Sequence, residues 1–308
     1  MNDGAAADDY QAAIAQGFMP IRDVARITGV NAVTLRAWER RYGLIVPHRT
    51  PKGHRLYADE HVTRIQAILT WLNRGVSVSQ VKGLLRAGQP AFAEASSQWD
   101  ARRQQLQEAI CNLNERRLDD CFNSELALYP PHTLCQQLLM PLLEELELRW
   151  RNQFGAQAER VFFYSWLRSK LGARLYHNNR QYNGASLLLI NVSDLPMAPG
   201  LWLTAWLASS AGCPVEVFDW PLPPTELALA VEHIQPRAVL LYSSQALNST
   251  HLQRLLGGYD CPCLLVGQVV QIHAEELVAI TAQNAELSLA ADPLAALHSL
   301  TDLNLLHS

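Results

Sequence analysis

The chain has 308 residues, of which 49% are apolar and 18% are charged. This length predicts two or three domains, and this composition is typical of a globular protein with a buried core, which excludes a disordered chain. The formal net charge of −4 is unevenly distributed, since residues 18–88 hold 12 lysines and arginines against 4 acidic residues and the remainder therefore carries −12. A basic segment on an acidic body is typical of a protein that meets phosphates at one end only.

Several classes of protein are excluded by what the chain lacks. The six cysteines form no CxxC pair and no Cys/His quartet at zinc spacing, which predicts no metal site. The start of the chain has no basic region followed by an apolar one, which predicts no export. Residues 195–215 carry no charge, but three prolines interrupt them, as in a loop followed by a buried helix. The sequence therefore predicts a cytoplasmic protein without a membrane partner.

Two short helices are predicted after a loose tail at residues 1–17. Gly29 is placed to end the first helix in a left-handed conformation. Asn31 can cap the second helix, which is predicted over residues 31–42. The outer positions of the second helix are predicted to be Thr34, Arg36, Arg40 and Arg41. A helix, a tight turn and a basic helix indicate a helix-turn-helix unit, whose second helix enters the major groove of DNA.

A hairpin follows the second helix. Thr50-Pro51-Lys52-Gly53 is typical of a turn, and His54-Arg55-Leu56-Tyr57 is predicted as a short strand that alternates outward and inward. Two more helices, one beginning at Asp59 and one over residues 79–86, complete a predicted domain of residues 18–88. The hairpin is then the wing of a winged-helix DNA-binding domain.

The amino-acid sequence of this segment resembles that of the MerR family of winged-helix transcription factors. The resemblance is carried by residues 33–44, which read VTLRAWERRYGL, and by Pro47, Arg49 and residues 53–57, which read GHRLY. It implies a homodimer that binds a near-palindromic operator in double-stranded DNA. It also implies DNA contacts from the second helix and the wing, by Thr34, Arg36, Trp38, Arg40, Arg41, Tyr42, Lys52, His54 and Arg55. Leu35, Leu44 and Leu56 are predicted to lie in the core.

The rest of the chain predicts two further domains. Residues 91–180 read as four helices with short connections, which indicates a four-helix bundle with a kink at Pro141. Residues 184–308 alternate short apolar strands with amphipathic helices, which indicates a Rossmann-like, doubly wound parallel sheet. The fold class is therefore α plus α/β, in several domains.

This order of domains resembles one subgroup of the MerR family, the cobalamin-type photoreceptor repressors. That subgroup carries a Trp followed after nine residues by Glu-His, and an Asp-x-His-x-x-Gly loop after the first strand, and both histidines ligate cobalt. Here Trp150 is followed at those positions by Arg160-Val161. In the loop of residues 194–200, Pro196 or Met197 stands where the histidine would be, depending on the alignment. Neither side chain coordinates cobalt as an imidazole does.

A third marker, a later Gly-Gly, is Gly267-Gln268 here. With these three differences, the chain resembles the cobalamin-independent, MlrA-like branch. In that branch, protein partners, including enzymes of cyclic-di-GMP turnover, are thought to supply the signal. The sequence thus predicts a DNA-binding transcriptional regulator with no cofactor, no catalytic residues and no metal. The resemblance implies that it acts in biofilm or cyclic-di-GMP control through a signalling protein partner. One alternative is a cobalamin-binding, light-responsive repressor. The other is a small-molecule-binding or enzymatic Rossmann-like domain, with Asp194, Ser243, Ser244 and His251 near strand ends.

Overall fold

The chain divides into two compact units, and the division lies between Glu159 and Arg160. The computed structural model describes residues 10, 12–87, 92–153, 155–256, 259–282, 284 and 286–306. The first unit contains the winged helix together with three of the four helices predicted for the bundle. The units therefore do not divide at the predicted domain boundaries, residues 88 and 180. Those domain boundaries stay predictions. The expectation of a loose tail is wrong for residues 12–15, which are helical, while residues 1–9 and 11 lie outside the described residues.

The predicted winged helix is confirmed. Its elements are β1 (Met19–Pro20), α1 (Ile21–Thr28), α2 (Ala32–Ala37), a π-helical turn (Trp38–Tyr42), β2 (His48–Arg49), β3 (Arg55–Tyr57), α3 (Asp59–Asn73) and α4 (Val78–Ala87). The three strands form an antiparallel sheet in the order β1-β3-β2. Gly29, at φ +69°, ends α1 as the sequence predicts, because a left-handed residue is easiest for glycine.

The predicted helices of residues 91–180 are also present. They are α5 (Phe92–Cys111), α6 (Glu115–Leu126), α7 (Pro131–Leu134), a π-helical turn (Cys135–Leu139), α8 (Met140–Asn152) and α9 (Ala156–Asn179). Helix α9 begins in the first unit and continues in the second, so its packing on the other helices stays a prediction.

The helix predicted to kink at Pro141 contains a π-helical turn that ends two residues before this proline. Proline has no N–H, so the carbonyl oxygen of Gln137, four residues earlier, receives no helical hydrogen bond from it. The guanidinium of Arg103, on α5, donates to that oxygen at 3.2 Å instead. A long-range contact thus stabilises the interruption that the proline imposes.

The winged helix and the following helices share one interior in the first unit. The indole nitrogen of Trp99, on α5, donates to the Gly75 carbonyl oxygen at 2.7 Å. The Val78 amide donates to the Tyr129 hydroxyl at 3.3 Å, and the side-chain amide of Gln137 donates to the Asn73 carbonyl oxygen at 2.9 Å. Because these partners lie on both sides of residue 88, the winged helix depends on α5 to α7 for its buried hydrogen bonds.

The second unit contains the predicted parallel sheet. Its strands are β4 (Leu187–Asn191), β5 (Val215–Phe218), β6 (Ala238–Tyr242), β7 (Cys263–Val266) and β8 (Leu287–Ala290). All pairs are parallel, in the order β5-β4-β6-β7-β8. Strands β4, β6 and β7 are buried along their whole length, as expected for a sheet that helices cover on both faces. The strand order reverses between β4 and β6, where such sheets usually bind ligands.

Helices follow each strand of this sheet. They are α10 (Pro199–Ser210), α11 (Pro224–Ile234), α12 (Ser249–Leu255), α13 (Val269–Ile272), α14 (Ala274–Thr281) and α15 (Pro293–Asp302). The sequence analysis missed α15, although its start is well marked. The Asp292 carboxylate accepts from the amides of Leu294 and Ala295, and Pro293 occupies the first helical position. Among the described residues, no helix is long and apolar enough to cross a membrane.

Candidate nucleic-acid interface

The second helix of the helix-turn-helix unit is built as the sequence predicts. The side-chain oxygen of Asn31 accepts from the Thr34 amide at 2.9 Å and so caps the start of α2. The helix then widens into the π-helical turn Trp38–Tyr42 and ends at Gly43, whose φ is +57°. We call residues 32–42 the recognition helix.

The exposed face of the recognition helix differs by one position from the predicted face. Thr34, Leu35 and Trp38 are fully buried. Thr34 and Leu35 lie four and three residues before Trp38, so the three side chains share one face of the helix. That face is the core face, and we therefore withdraw Thr34 and Trp38 from the predicted DNA contacts.

The outward face carries a residue that the sequence analysis missed. Val33 is 60% exposed, and Arg36 and Arg40 are exposed at three and seven residues after it. Arg41 is exposed beside them, and Tyr42 is half-buried. The spacing of the buried apolar positions could have revealed this face, because it leaves Val33 outside. The helix presents an apolar side chain next to three arginines.

The wing is closed by its turn. The Thr50 amide donates to the His54 carbonyl oxygen at 3.0 Å, and the Gly53 amide donates to the Thr50 carbonyl oxygen at 2.7 Å. Lys52 and His54 are exposed at the tip of this hairpin. The strand does not alternate as predicted, since Leu56 and Tyr57 are both buried. Lys52 and His54 are therefore the outward side chains at the tip of the wing.

Arg55, which was predicted to face DNA, is turned towards the recognition helix. Its Nε lies 2.5 Å from Oε2 of Glu39, and Nη2 of Arg49 lies 2.5 Å from Oε1 of the same carboxylate. The side chain of Arg55 is 21% exposed. Arg55 is thus held in a contact within the protein, and we withdraw it from the proposed base contacts.

Glu39 is ionised in this arrangement. Burial acts to raise the pKa of its carboxyl, but the hydrogen bonds and charges of Arg55 and Arg49 outweigh burial and hold that pKa below its usual value. Burial and the nearby Glu39 charge raise the pKa of Tyr57 to about 12, so this phenol stays neutral. The three charged side chains form one network, which we call the Glu39 clamp.

A possible metal cluster lies beside the wing. Atoms of His48, Glu60 and His61 that could ligate an ion lie within 4.8 Å of one another. Both ring nitrogens of His61 are already used, because Nδ1 accepts from the Ala58 amide at 3.0 Å and Nε2 lies 3.0 Å from the Val46 carbonyl oxygen. Binding an ion would break one of these buried hydrogen bonds, so the imidazole acts as a cap for α3.

The polar residues at the strand ends of the second unit serve local structure. The Ser243 hydroxyl donates to the Gln245 carbonyl oxygen at 2.9 Å and accepts from the Gln245 amide at 3.1 Å, which makes it part of a turn. Asp194 is exposed and Ser244 is half-buried, whereas the side chain of His251 lies outside the described residues. These contacts do not favour the catalytic alternative.

The place where a corrinoid would enter the sheet is filled. A Cβ added to Gly200 would lie 2.1 Å from the Tyr242 hydroxyl oxygen, so the phenol packs directly on the backbone at the start of α10. Tyr242 is itself buried at the end of β6. The Asn191 side chain closes the preceding loop by donating to the Leu195 carbonyl oxygen at 2.7 Å. The Tyr242 phenol therefore occupies the crevice between β4 and β6 beside Gly200.

The position of the upper histidine also carries no ligand for a corrinoid. Val161, at the position of the upper histidine, is apolar and 56% exposed. In the first unit, the indole nitrogen of Trp150 donates to Oε2 of Glu159 at 3.1 Å, and Arg149 donates to both oxygens of the same carboxylate at 3.0 and 3.1 Å. Glu159 thus ties Trp150 to Arg149. The residues present do not fit a corrinoid.

The chain is similar to known transcriptional regulators along most of its length. A family model described as MerR HTH family regulatory protein matches residues 19–88, and one described as B12 binding domain matches residues 102–175. The HTH-type transcriptional regulator MlrA of Escherichia coli K12 is 31% identical over 237 residues, which are 76% of this chain and 92% of that protein.

Two further relatives show the same kinship. MlrA of Salmonella typhimurium SL1344 is 34% identical over 199 residues, which are 64% of this chain and 78% of that protein. The HTH-type transcriptional repressor CarH of Myxococcus xanthus is 29% identical over 166 residues, which are 51% of this chain and 56% of that protein. With its winged helix, its parallel sheet and these relatives, the chain belongs to the MerR family of helix-turn-helix transcriptional regulators, in the MlrA-like branch.

Proposed function

We propose that the protein binds a near-palindromic operator as a homodimer, with the recognition helix in the major groove and the wing tip on the flanking backbone. The observation that carries this proposal is the outward row of Val33, Arg36 and Arg40 on a helix whose opposite face is buried. Arginine can read guanine, and an apolar side chain can contact the methyl group of thymine.

The remaining exposed residues have supporting roles in this proposal. Arg41 and Tyr42 follow the reading residues at the end of the recognition helix, where they reach phosphates. Lys52 and His54 meet the backbone beside the half-site. Two protomers on a rough inverted repeat place their recognition helices about one helical turn apart.

The experiment is a selection from random DNA by the purified full-length protein, followed by titrations at several salt concentrations. Arg36→Ala should lose about 1–3 kcal/mol on the selected sequence and relax the preference at one position. Arg254→Ala is the matched control, because this exposed arginine on α12 removes the same charge from the second unit. Selection of no sequence, or equal losses in both variants, would contradict the proposed surface.

We also propose that the second unit responds to a protein partner or a signal other than cobalamin, in biofilm or cyclic-di-GMP-linked control. The filled crevice at Gly200 and Tyr242 and the Trp150–Glu159 bond support this proposal, as does the similarity to MlrA. The turn role of Ser243 supports a non-enzymatic protein. A role in regulating transcription supports a cytoplasmic location. Gel filtration after incubation with adenosylcobalamin should give colourless protein. A stoichiometric co-eluting chromophore would instead support the light-responsive repressor.

A further inference from the structure

The Glu39 clamp joins three elements of the DNA-binding region through one carboxylate. Glu39 belongs to the recognition helix, Arg49 to β2 and Arg55 to β3. Each oxygen of the carboxylate takes a different arginine, at 2.5 Å in both cases. Only 13% of the Glu39 side chain is exposed, so solvent screens these ion pairs less than it would screen surface pairs.

The pairing of the wing strands makes this carboxylate necessary. Arg49 and Arg55 lie directly opposite each other in the β2–β3 register. Like charges at opposite positions of a hairpin repel and destabilise it. With Glu39 between them, the two guanidiniums are drawn to one point on the recognition helix. Without it, the repulsion would push the strands apart and release the wing from the helix.

We propose that Glu39 is a positioning residue for DNA recognition. It fixes the distance between the reading residues Arg36 and Arg40 on the recognition helix and the backbone-binding residues Lys52 and His54 on the wing. This inference rests on the DNA surface proposed above and adds a residue that need not touch DNA. Preorganisation of two contact surfaces lowers the cost of binding them both to one site.

If Glu39 acted only through its charge, its removal would increase DNA affinity, which is the opposite of what a positioning role predicts. A carboxylate beside a DNA-binding surface repels phosphates, so its removal should strengthen binding to every sequence and steepen the salt dependence. A positioning residue behaves differently, because the wing contacts hold the recognition helix in register on the selected bases. Loss of Glu39 would loosen that register, which weakens binding to the selected site more than binding to unrelated DNA. The ratio of the two affinities therefore separates the two roles.

The test compares Glu39→Gln with the full-length wild type on the selected sequence and on a scrambled duplex. Glu60→Gln is the control, because it removes an equal charge from a side chain of the same unit that is 76% exposed and outside the clamp. We expect the affinity ratio to fall at least about fivefold in Glu39→Gln, as for the loss of one contact, and to be unchanged in Glu60→Gln. Hydroxyl-radical footprints should lose protection at the wing flank only.

A second variant keeps the test valid if Glu39→Gln does not fold. Arg49→Gln removes the ion pair of the more exposed arginine, whose side chain is 49% exposed, but it also removes the repulsion between Arg49 and Arg55. It should therefore lower the same ratio by a smaller factor than Glu39→Gln. An unchanged ratio in Glu39→Gln, or in Arg49→Gln where that variant is used, would overturn the positioning role. If the wild type itself selects no sequence, the proposed DNA surface fails first and the role of Glu39 with it.

Discussion

The indole nitrogen of Trp38 lies 2.8 Å from the carbonyl oxygen of Leu128, to which it donates a hydrogen bond. Trp38 belongs to the recognition helix, and Leu128 follows α6, 90 residues later in the chain. Trp38 is fully buried. The helix proposed to read DNA is therefore attached from its inner side to the turn between α6 and α7.

This contact predicts that Trp38→Phe will act on stability more than on DNA affinity. The substitution leaves the half-buried Leu128 carbonyl without its donor, and loss of such a bond costs about 1–3 kcal/mol at most. Urea unfolding should show that loss, while affinity for the selected DNA, measured where the variant is folded, should change little. Trp220→Phe is the matched control, because Trp220 is 67% exposed. A large affinity loss at unchanged stability would indicate that Trp38 contacts DNA after all.

The boundary of the independently folding DNA-binding part should lie near residue 159 and not at residue 88. A fragment of residues 1–88 would expose Trp38 and lose the partners of Gly75 and Val78. We expect that fragment to lack a cooperative thermal transition by circular dichroism, and a fragment of residues 1–159 to show one. A well-dispersed amide NMR spectrum from residues 1–88 would contradict this expectation.

Val33 should read thymine by its methyl group. Replacing thymines of the selected half-site by uracil removes only the C5 methyl, and one such position should weaken wild-type binding. In Val33→Ala the loss of affinity caused by uracil should be smaller, because alanine lacks the two methyl groups of Val33 that would contact the thymine methyl. The penalties are compared in a double-mutant cycle.

The control for this cycle is Thr34→Ser, which trims a methyl group from a buried neighbour of Val33. It should keep the full uracil penalty, although it can lower stability. Equal uracil penalties in the wild type and Val33→Ala at every thymine would remove Val33 from the reading surface.

The stability of the first unit should fall in mild acid because of His132. Burial lowers the pKa of this imidazole, whose Nδ1 is buried without a hydrogen-bond partner in the described part of the chain. The unfolded chain takes up a proton near pH 6.5 and the folded chain only at a lower pH. The contribution of His132 is thus complete above pH 6.5 and is lost as the pH falls from there towards the folded pKa.

The corresponding experiment is urea unfolding of wild type and His132→Gln at several pH values. Amide protection in α6, the helix that precedes His132 in the first unit, reports the unfolding of that unit. Between the two pKa values the wild type should lose at most about 1.4 kcal/mol per pH unit relative to the variant. His298→Gln is the control, since that side chain is 78% exposed. Parallel pH dependences in wild type and His132→Gln would exclude the effect.

Local chemistry made much of the fold predictable from the sequence. Gly29, Asn31 and the turn at residues 50–53 act through their own backbone or the next few residues, and the structure confirms each of them. The strands of the second unit are equally clear, because a sheet buried on both faces needs continuous apolar runs.

The candidate site was predictable only in part, because burial depends on distant partners. Trp38 looks like a DNA contact until Leu128, 90 residues later, is placed beside it. Arg55 looks like a DNA contact until Glu39, 16 residues earlier, is placed beside it. The position of the unit boundary was hidden for the same reason, since Trp99 and Tyr129 complete the interior of a segment that precedes them.

The packing of Tyr242 on Gly200 limits which single substitutions could give this chain a corrinoid site. An imidazole at Pro196 or Met197 would still find the phenol where a nucleotide tail must lie. A smaller residue at position 242 alone would leave a cavity in the core and no metal ligand, at a cost of about 3–5 kcal/mol for loss of a large aromatic side chain. Neither substitution alone would form a corrinoid site, so both changes would be needed together, whereas new protein contacts can accumulate one substitution at a time.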